Sequence, residues 1–252
     1  MSINPNPLGG KTAVILGGSS GIGLATARLF AEAGARVAVV ASQSRAKAEE
    51  AVASLQRSGH RAFTCRIERT EEVRELARLI QSEMGGASIL VNSAGFTRNI
   101  PHADLEAMDD ETFDHILTVN TRGAFSAVRA FAPQLRGGGD GLVVNVSSIA
   151  ATTAVGSCIA YCVAKAGMDV MGAALARVLA PDIRVLTVSP GSVDTDFVPN
   201  RDRAAREKIA AGSPLKRLCV PEDVAEAILA CATTLRYSTG SILQVDGGRH
   251  LA

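Results

Sequence analysis

Tryptophan is absent from this sequence, tyrosine occurs twice, and there are five lysines against 21 arginines. Charged residues are also sparse, at 20% with a net charge of +1, which argues against a nucleic-acid binder or a disordered tail. No run approaches the roughly 20 apolar residues needed to cross a bilayer. The start, MSINPNPLGGKTAVILGG, has no basic region ahead of a long apolar stretch and no small-residue cleavage site. No signal peptide is expected. The five cysteines, Cys65, Cys158, Cys162, Cys219 and Cys231, form no CxxC pair, and none of the four histidines falls at a matching spacing. The expectation is a cytoplasmic protein with reduced, mostly buried thiols and no metal site.

Glycine is plentiful, at 24 residues, which suits many tight strand-to-helix turns. Short apolar runs alternate with longer helical patterns. TAVILG (12–17), RVAVVA (36–41), SILVNS (88–93), GLVVNVS (141–147), IRVLTV (183–188) and SILQV (241–245) read as buried strands, with RAFTCRI (61–67) as a weaker seventh. Helical patterns cover 23–34, 45–59, 70–84, about 111–135, about 157–180 and 221–235. Strands buried on both faces and alternating with helices imply a parallel sheet with helices on either side. No repeat or linker divides the chain, and residues 1–252 are expected to form one doubly wound α/β domain.

The first strand runs straight into GGSSGIG. At such a turn the backbone N–H groups and the helix dipole face whatever sits there, and a diphosphate fits. The spacing is Gly17-x3-Gly21-x-Gly23, longer than GxGxxG; a purely structural glycine turn is the other reading. GGKT (9–12) imitates the end of a P-loop but precedes the strand rather than following it.

Residues 161–165 read YCVAK, placing Tyr161 and Lys165 one helical turn apart on one face. With this pair and the glycine turn in view, the chain resembles the short-chain dehydrogenase/reductase family along essentially its whole length. ILGGSSGIG is similar to TGxxxGxG, and LVNSAG (90–95) to NNAG. LTVN (117–120), VNVSS (144–148), SPGSVDT (189–195) and the stretch from Pro221 to Gly248 follow in family order. The resemblance implies a seven-stranded Rossmann domain.

It also implies a catalytic set of Asn120, Ser148, Tyr161 and Lys165. Tyrosine alone, with a reference pKa of about 10, is a poor acid–base group near neutrality. A nearby ammonium is expected to lower that value by roughly 1–3 units, so that Tyr161 can pass a proton either way. Lys165 would also bond the nicotinamide ribose, Ser148 would hold the substrate oxygen, and Asn120 would hold a water behind Lys165. Ser147 is the alternative to Ser148, but the thirteen-residue interval to the tyrosine favours Ser148. For the cofactor, the resemblance implies Gly17, Ser19, Ser20, Gly21, Ile22 and Gly23 of the turn. It adds Ala41, Ser42 and Arg45 after the second strand, Ile67 after the third, and Asn92, Ala94 and Gly95 after the fourth. Pro190, Gly191, Val193 and Thr195 would border the nicotinamide.

Three positions depart from the family pattern. Leu16 replaces a threonine and Ser93 an asparagine, which puts a polar tie behind the turn in doubt. Arg66 stands where an aspartate commonly meets adenine. At the end of the second strand Ala41, Ser42, Gln43 and Ser44 offer no carboxylate against a 2′-phosphate, with Arg45 and Lys47 close by. NADP(H) is therefore favoured over NAD(H), although Arg45 also reads as an ordinary solvated helix residue.

Residues 194–218 are expected to cover the substrate. Phe96, Ala150, Cys158, Ser192, Phe197 and Val198, with Ser148 and Tyr161, are the candidate pocket residues; Thr97 and Thr152 are further wall candidates. APDI (180–183) is acidic where carrier-protein reductases commonly carry an arginine. A small ketone or secondary alcohol therefore ranks above a 3-oxoacyl group on acyl carrier protein. A non-catalytic nucleotide-binding regulator is the remote third reading. The resemblance also implies a homotetramer pairing through the helices that begin near 111 and 157.

Overall fold

The computed structural model describes residues 6–198 and 203–251. Seven parallel strands form one sheet in the order β3-β2-β1-β4-β5-β6-β7. They are β1 (Thr12–Leu16), β2 (Arg36–Ala41), β3 (Arg61–Thr64), β4 (Ile89–Asn92), β5 (Gly141–Val146), β6 (Ile183–Pro190) and β7 (Ile242–Val245). The strands read as unbroken apolar runs because both faces are covered. Ala13 and Ile15 of β1 enter one core with Val37, Val39 and Val144, while Val14 and Leu16 enter the opposite core with Val40, Leu90 and Val143.

Helices α1 (Gly21–Glu32), α2 (Arg45–Ala53) and α9 (Pro221–Thr233) close the first core through Phe30, Ala48 and Ile228. On the other face α3 (Thr70–Met84), α5 (Ala124–Gly137) and α7 (Ile159–Leu179) contribute Leu76, Phe131 and Ala176. Each large side chain fully buried in this way stabilises the fold by roughly 1.5–3 kcal/mol.

Three expectations need correction. β7 is not a buried strand: it is a sheet edge whose Leu243 and Val245 pack on the core while Ile242 and Gln244 are exposed. The long helix expected near 111–135 is α4 (Asp110–Leu117) and α5 joined by a π-helical turn, Thr118–Gly123. Such wide turns inside helices are frequent at functional sites. Finally, α7 is long and apolar enough for a membrane span by length and composition, with a mean hydropathy of 1.4 over its best window. Half of that window is inside the protein, and the helix buries Lys165 and Asp169. It is a core helix.

The two short helices α6 (Ala150–Thr153) and α8 (Arg203–Gly212) complete the described elements, with a 3₁₀ turn at Arg249–Leu251. α8 lies within the expected cover over the substrate, whose residues 199–202 fall outside the described residues. β1 pairs with β2 on one side and β4 on the other, so the chain's crossovers diverge there. In such sheets the crevice beyond the strand ends at this switch point is where ligands bind.

Phe131 is fully enclosed between α5 and the sheet. Replacing it with alanine is expected to cost about 3–5 kcal/mol, read from the urea midpoint at unchanged m-value.

Candidate active site

A cleft of about 1600 Å³ opens at the C-terminal ends of the strands, running from the glycine turn past Tyr161 to the C-terminal Arg249. Its first end is the N-terminus of α1. Ser20 occupies the cap position without a side-chain hydrogen bond, and no acidic residue stands in the first turn. The backbone N–H groups there are left to a ligand, and an anion suits them. Two glycines are needed for close packing. Gly17 has φ 75°, and a Cβ on it would lie 2.9 Å from the Ala94 backbone. A Cβ on Gly23 would overlap the Gly17 carbonyl. The turn therefore fits a dinucleotide diphosphate in shape, donor set and charge. With leucine at position 16 the tie to the fourth strand runs through the backbone, Ser93 N–H donating to Leu16 O at 3.1 Å.

Gly17, Ser19, Ser20, Gly21, Ile22, Ser42, Ile67, Ala94 and Gly95 all line this half of the cleft. Gly23, Ala41, Arg45 and Asn92 do not. Gly23 serves packing. Ala41 is enclosed in the core, and Asn92 is buried beneath the strand ends, donating to Asn145 Oδ1 at 2.8 Å. Arg45 is turned outward, its Nε donating to Glu49 at 2.8 Å on the same helix face. The cation at this end is Lys47, which lines the cleft with Ser42 and Gln43. Ser44 caps α2 by accepting from the Lys47 N–H at 3.2 Å, which fixes the loop. Arg66 is likewise engaged, its guanidinium paired with Glu72 and its backbone N–H donating to the same carboxylate. Glu68 is the one carboxylate lining the adenosine end among the described residues.

In the middle of the cleft Tyr161, Lys165 and Ser148 come together. The Lys165 Nζ lies 5.6 Å from the Tyr161 ring centroid and donates to Val146 O at 2.8 Å. Ser148 hydrogen-bonds Tyr161 and accepts from the Ala150 N–H at 3.2 Å. Ser147 points inward instead, toward the Lys165 carbonyl and the buried Asp169. Of the two serines, Ser148 is the one beside Tyr161.

The electrostatics differ from the expectation of a depressed tyrosine. Burial raises the Tyr161 pKa, the Ser148 hydrogen bond lowers it, and the nearby Cys162 and Cys158 raise it further. Desolvation of the phenolate outweighs what the neighbours supply. Burial also pushes Lys165 down to about 8, with Asp169 pulling it back up. Asp169 itself is raised by burial, against the Ser147 hydrogen bond and the Lys165 charge.

Asn120 sits in the π-helical turn and does not line the cleft. Its Nδ2 donates to Phe96 O at 2.7 Å and Ile116 O at 2.9 Å, while its Oδ1 is enclosed without a partner. A buried acceptor left in this state can hold a water.

The remaining expected residues divide clearly. Pro190, Gly191, Ser192, Val193 and Thr195 line the cleft after β6, and Thr195 reaches across to Gly21. Phe96, Ala150, Phe197 and Val198 line its far half, with the Phe197 ring 6.0 Å from that of Tyr161. Cys158 does not: it is fully enclosed with Ile116, Ala160 and Ala164, because it precedes α7 on the side facing α4. Thr97 is buried and Thr153 takes the wall position expected of Thr152. His115, Val155, Lys208 and Arg249 line the cleft without having been anticipated. The only sequence signal for Arg249 is a cation directly after the terminal GlyGly.

Over residues 17–250 the chain matches the family model described as enoyl-(acyl carrier protein) reductase. It is 40% identical over 243 residues to a Streptomyces violaceoruber protein described as ketoacyl reductase 2 of the granaticin polyketide synthase, spanning 95% of this chain and 96% of that one. It is 36% identical over 242 residues to the cis-4-hydroxycyclohexanecarboxylate dehydrogenase of Sinomonas cyclohexanicum, spanning 94% and 96%. A solved structure from Burkholderia xenovorans, described as a short-chain dehydrogenase/reductase, superposes with a TM-score of 0.90 at 32% identity, covering 96% and 98%.

A buried ammonium with its pKa pushed down to about 8 destabilises the fold. The unfolded chain holds its lysine proton to a higher pH, so the penalty is full below about 8 and is relieved as pH rises toward about 10.4. Its size is about 3 kcal/mol. Lys165→Met is expected to be more stable than the parent at pH 7 by roughly 1–3 kcal/mol, the unpaired Asp169 limiting the gain. Urea unfolding across pH 7–10 checks this: the difference should shrink with rising pH, and a variant less stable at pH 7 contradicts it.

Proposed function

Because the chain belongs to the short-chain dehydrogenase/reductase family and is an oxidoreductase of CH–OH and C=O groups, we propose that it uses NADP(H) on a small ketone or secondary alcohol, with Tyr161 as acid and base. The observation that carries this reading is Tyr161 hydrogen-bonded to Ser148 and one turn from a buried Lys165, in the wall of a cleft that starts at an uncapped helix. The bound nicotinamide supplies or accepts the hydride. Everything else falls to the chain's own residues.

Ser148 holds the carbonyl oxygen beside the Tyr161 hydroxyl. In reduction Tyr161 gives that oxygen its proton, and the Lys165 ammonium stabilises the phenolate left behind. In oxidation the proton returns along the same line. Burial holds Tyr161 protonated at rest, which suits the donor role. The anchor from Lys165 to Val146 O keeps the cation under the phenol. Asn120, with its free Oδ1, holds a water through which Tyr161 and Lys165 regain their protons.

Ser42, Gln43 and Lys47 support the NADP(H) assignment, since a lysine and a hydroxyl suit a 2′-phosphate and no carboxylate ends β2. Reduction of a carrier-bound 3-oxoacyl group is the second reading, favoured by the ketoacyl reductase relative. We rank it below because Asp182, in the loop before β6, lies opposite Arg136 at 3.8 Å and leaves no unpaired arginine there. The relative named for a cyclic secondary alcohol supports the first reading. Exposed Val163, Val170 and Val178 along α7, with Phe125 on α5, support the homotetramer.

Tyr161→Phe should fold normally and lose roughly 10²–10⁴-fold in kcat/KM on a good ketone; full turnover would point to a non-catalytic nucleotide-binding role instead. For the cofactor, kcat/KM and fluorescence titrations with NADPH and NADH are the measurements. Lys47→Glu should lower NADPH use roughly 10–100-fold relative to NADH, whereas Arg45→Ala should change the ratio by no more than about twofold. A parent enzyme that strongly prefers NADH would overturn the assignment.

A further inference from the structure

We infer that Arg249 is a specificity-determining residue that holds a carboxylate on the substrate, so that the preferred ketone or alcohol is a keto acid or hydroxy acid. The inference rests on the assignment of the cleft to a ketone or alcohol substrate. Arg249 follows the sheet's last strand and lines the same cleft as Tyr161. Its position there is fixed from both sides. Gly191, which follows β6, packs directly on Asp246: a Cβ on Gly191 would lie 3.0 Å from it. On the other side Leu215 N–H donates to Gly247 O at 3.2 Å, and Pro214 closes on Gly248. The arginine thus sits where the segment after α8 meets the exit of β6.

Its state is unusual for an arginine. Nη1 is enclosed by protein and has no hydrogen-bond partner. The obvious counter-ion is three residues away, but Asp246 is engaged by other neighbours. It accepts from the Gly248 N–H at 3.0 Å and the His250 N–H at 2.8 Å, and lies 2.7 Å from the His250 ring. Asp194 and Asp196 line the cleft too, and neither hydrogen-bonds the enclosed Nη1. Arg45, Arg66, Arg74 and Arg78, by contrast, each hold a carboxylate.

The enclosed nitrogen carries a cost, and among the described residues no carboxylate neutralises the guanidinium of this cleft-lining arginine, which leaves its other N–H groups to a ligand. Guanidinium matches a carboxylate in a planar, two-point arrangement, stronger than a neutral hydrogen bond. The lining of the cleft is of mixed character, with Phe197, Val198, Val155 and Ile209 among its apolar residues and Lys208 as a further cation. A compact apolar skeleton with one acidic group fits that lining. A site built to bond a charged group discriminates strongly against the analogue that lacks it, because the site's own polar atoms are then left unpaired.

The test compares 4-oxocyclohexanecarboxylate with 4-oxocyclohexanecarboxamide as substrates for the parent enzyme, Arg249→Met and Arg249→Lys. The parent should favour the acid by roughly 10–100-fold in kcat/KM, mainly through KM. The acid-to-amide ratio should fall to near one in Arg249→Met and recover in part in Arg249→Lys. Calorimetric titration of the acid into each protein provides a second readout, with weaker binding expected for Arg249→Met. A parent that reduces both compounds equally, or a ratio unchanged by Arg249→Met, overturns the inference and leaves the ketone assignment standing. If no ketone is reduced with either cofactor, the assignment itself fails; calorimetry then decides the arginine, and acid binding that is absent or insensitive to Arg249→Met sinks it.

Discussion

The site depends on one buried charge. Lys165 is almost wholly enclosed on α7, and its ammonium donates to a backbone carbonyl, Val146 O, at the end of β5. Burial disfavours its charged form and brings it down to about 8, against the pull of Asp169. Tyr161 is under the opposite pressure, since burial disfavours its phenolate. Each group is therefore held toward neutrality, and each becomes charged at least cost when the other does. A phenolate created next to the ammonium relieves two desolvation penalties together. That coupling, rather than a phenol acidified at rest, is the reading the geometry favours.

Placing an ammonium there requires the rest of the fold. β5 must deliver a carbonyl at its end, and α7 must press against the sheet closely enough to reach it. Gly172 permits that approach: a Cβ on it would come within 3.0 Å of Thr187 and 3.4 Å of Asn145. The widened turn between α4 and α5 turns Asn120 inward, next to Gly95, where no larger residue would fit beside its Oδ1. All seven strands run the same way, so their C-terminal loops share one edge and the pieces converge without any loop crossing the sheet.

How much of this could be read from the sequence follows from what each kind of pattern encodes. Six strands announced themselves because a parallel strand is apolar on both faces, and RVAVVA marks the bounds of β2 to the residue. β7 has an equally apolar sequence, yet nothing in SILQV says that it lies at an edge, since edges are decided by topology. The π-helical turn was invisible for a similar reason: TVNTRG ends in a single glycine that does not distinguish a wide turn from an ordinary helix, and the extra residue is set by packing. Motif spacing brought Tyr161, Lys165 and Ser148 to one place, because an interval along a helix or from a strand end is a geometric quantity. It failed for Cys158 and Arg45, whose positions were right but whose side chains point into the core and toward Glu49. Direction depends on tertiary neighbours, and a short interval carries no record of them.

The composition that first looked like a simple scarcity acquires a meaning at this level. The chain has five lysines, and three of them, Lys47, Lys165 and Lys208, line the cleft. Arginines do the surface work: the ion pairs of α2, α3 and the loop before α9 are arginine pairs, short and fixed by bidentate or one-turn geometry. Lysine is the more mobile point charge and gives up its proton more readily when buried. A cleft lined by a lysine beside Ser42 and Gln43, another under the tyrosine and a third from α8 draws anions, although the net charge is only +1. Arg249 breaks the division of labour, an arginine lining the cleft with no carboxylate paired to it among the described residues. That exception is most simply understood if its carboxylate comes from outside the chain.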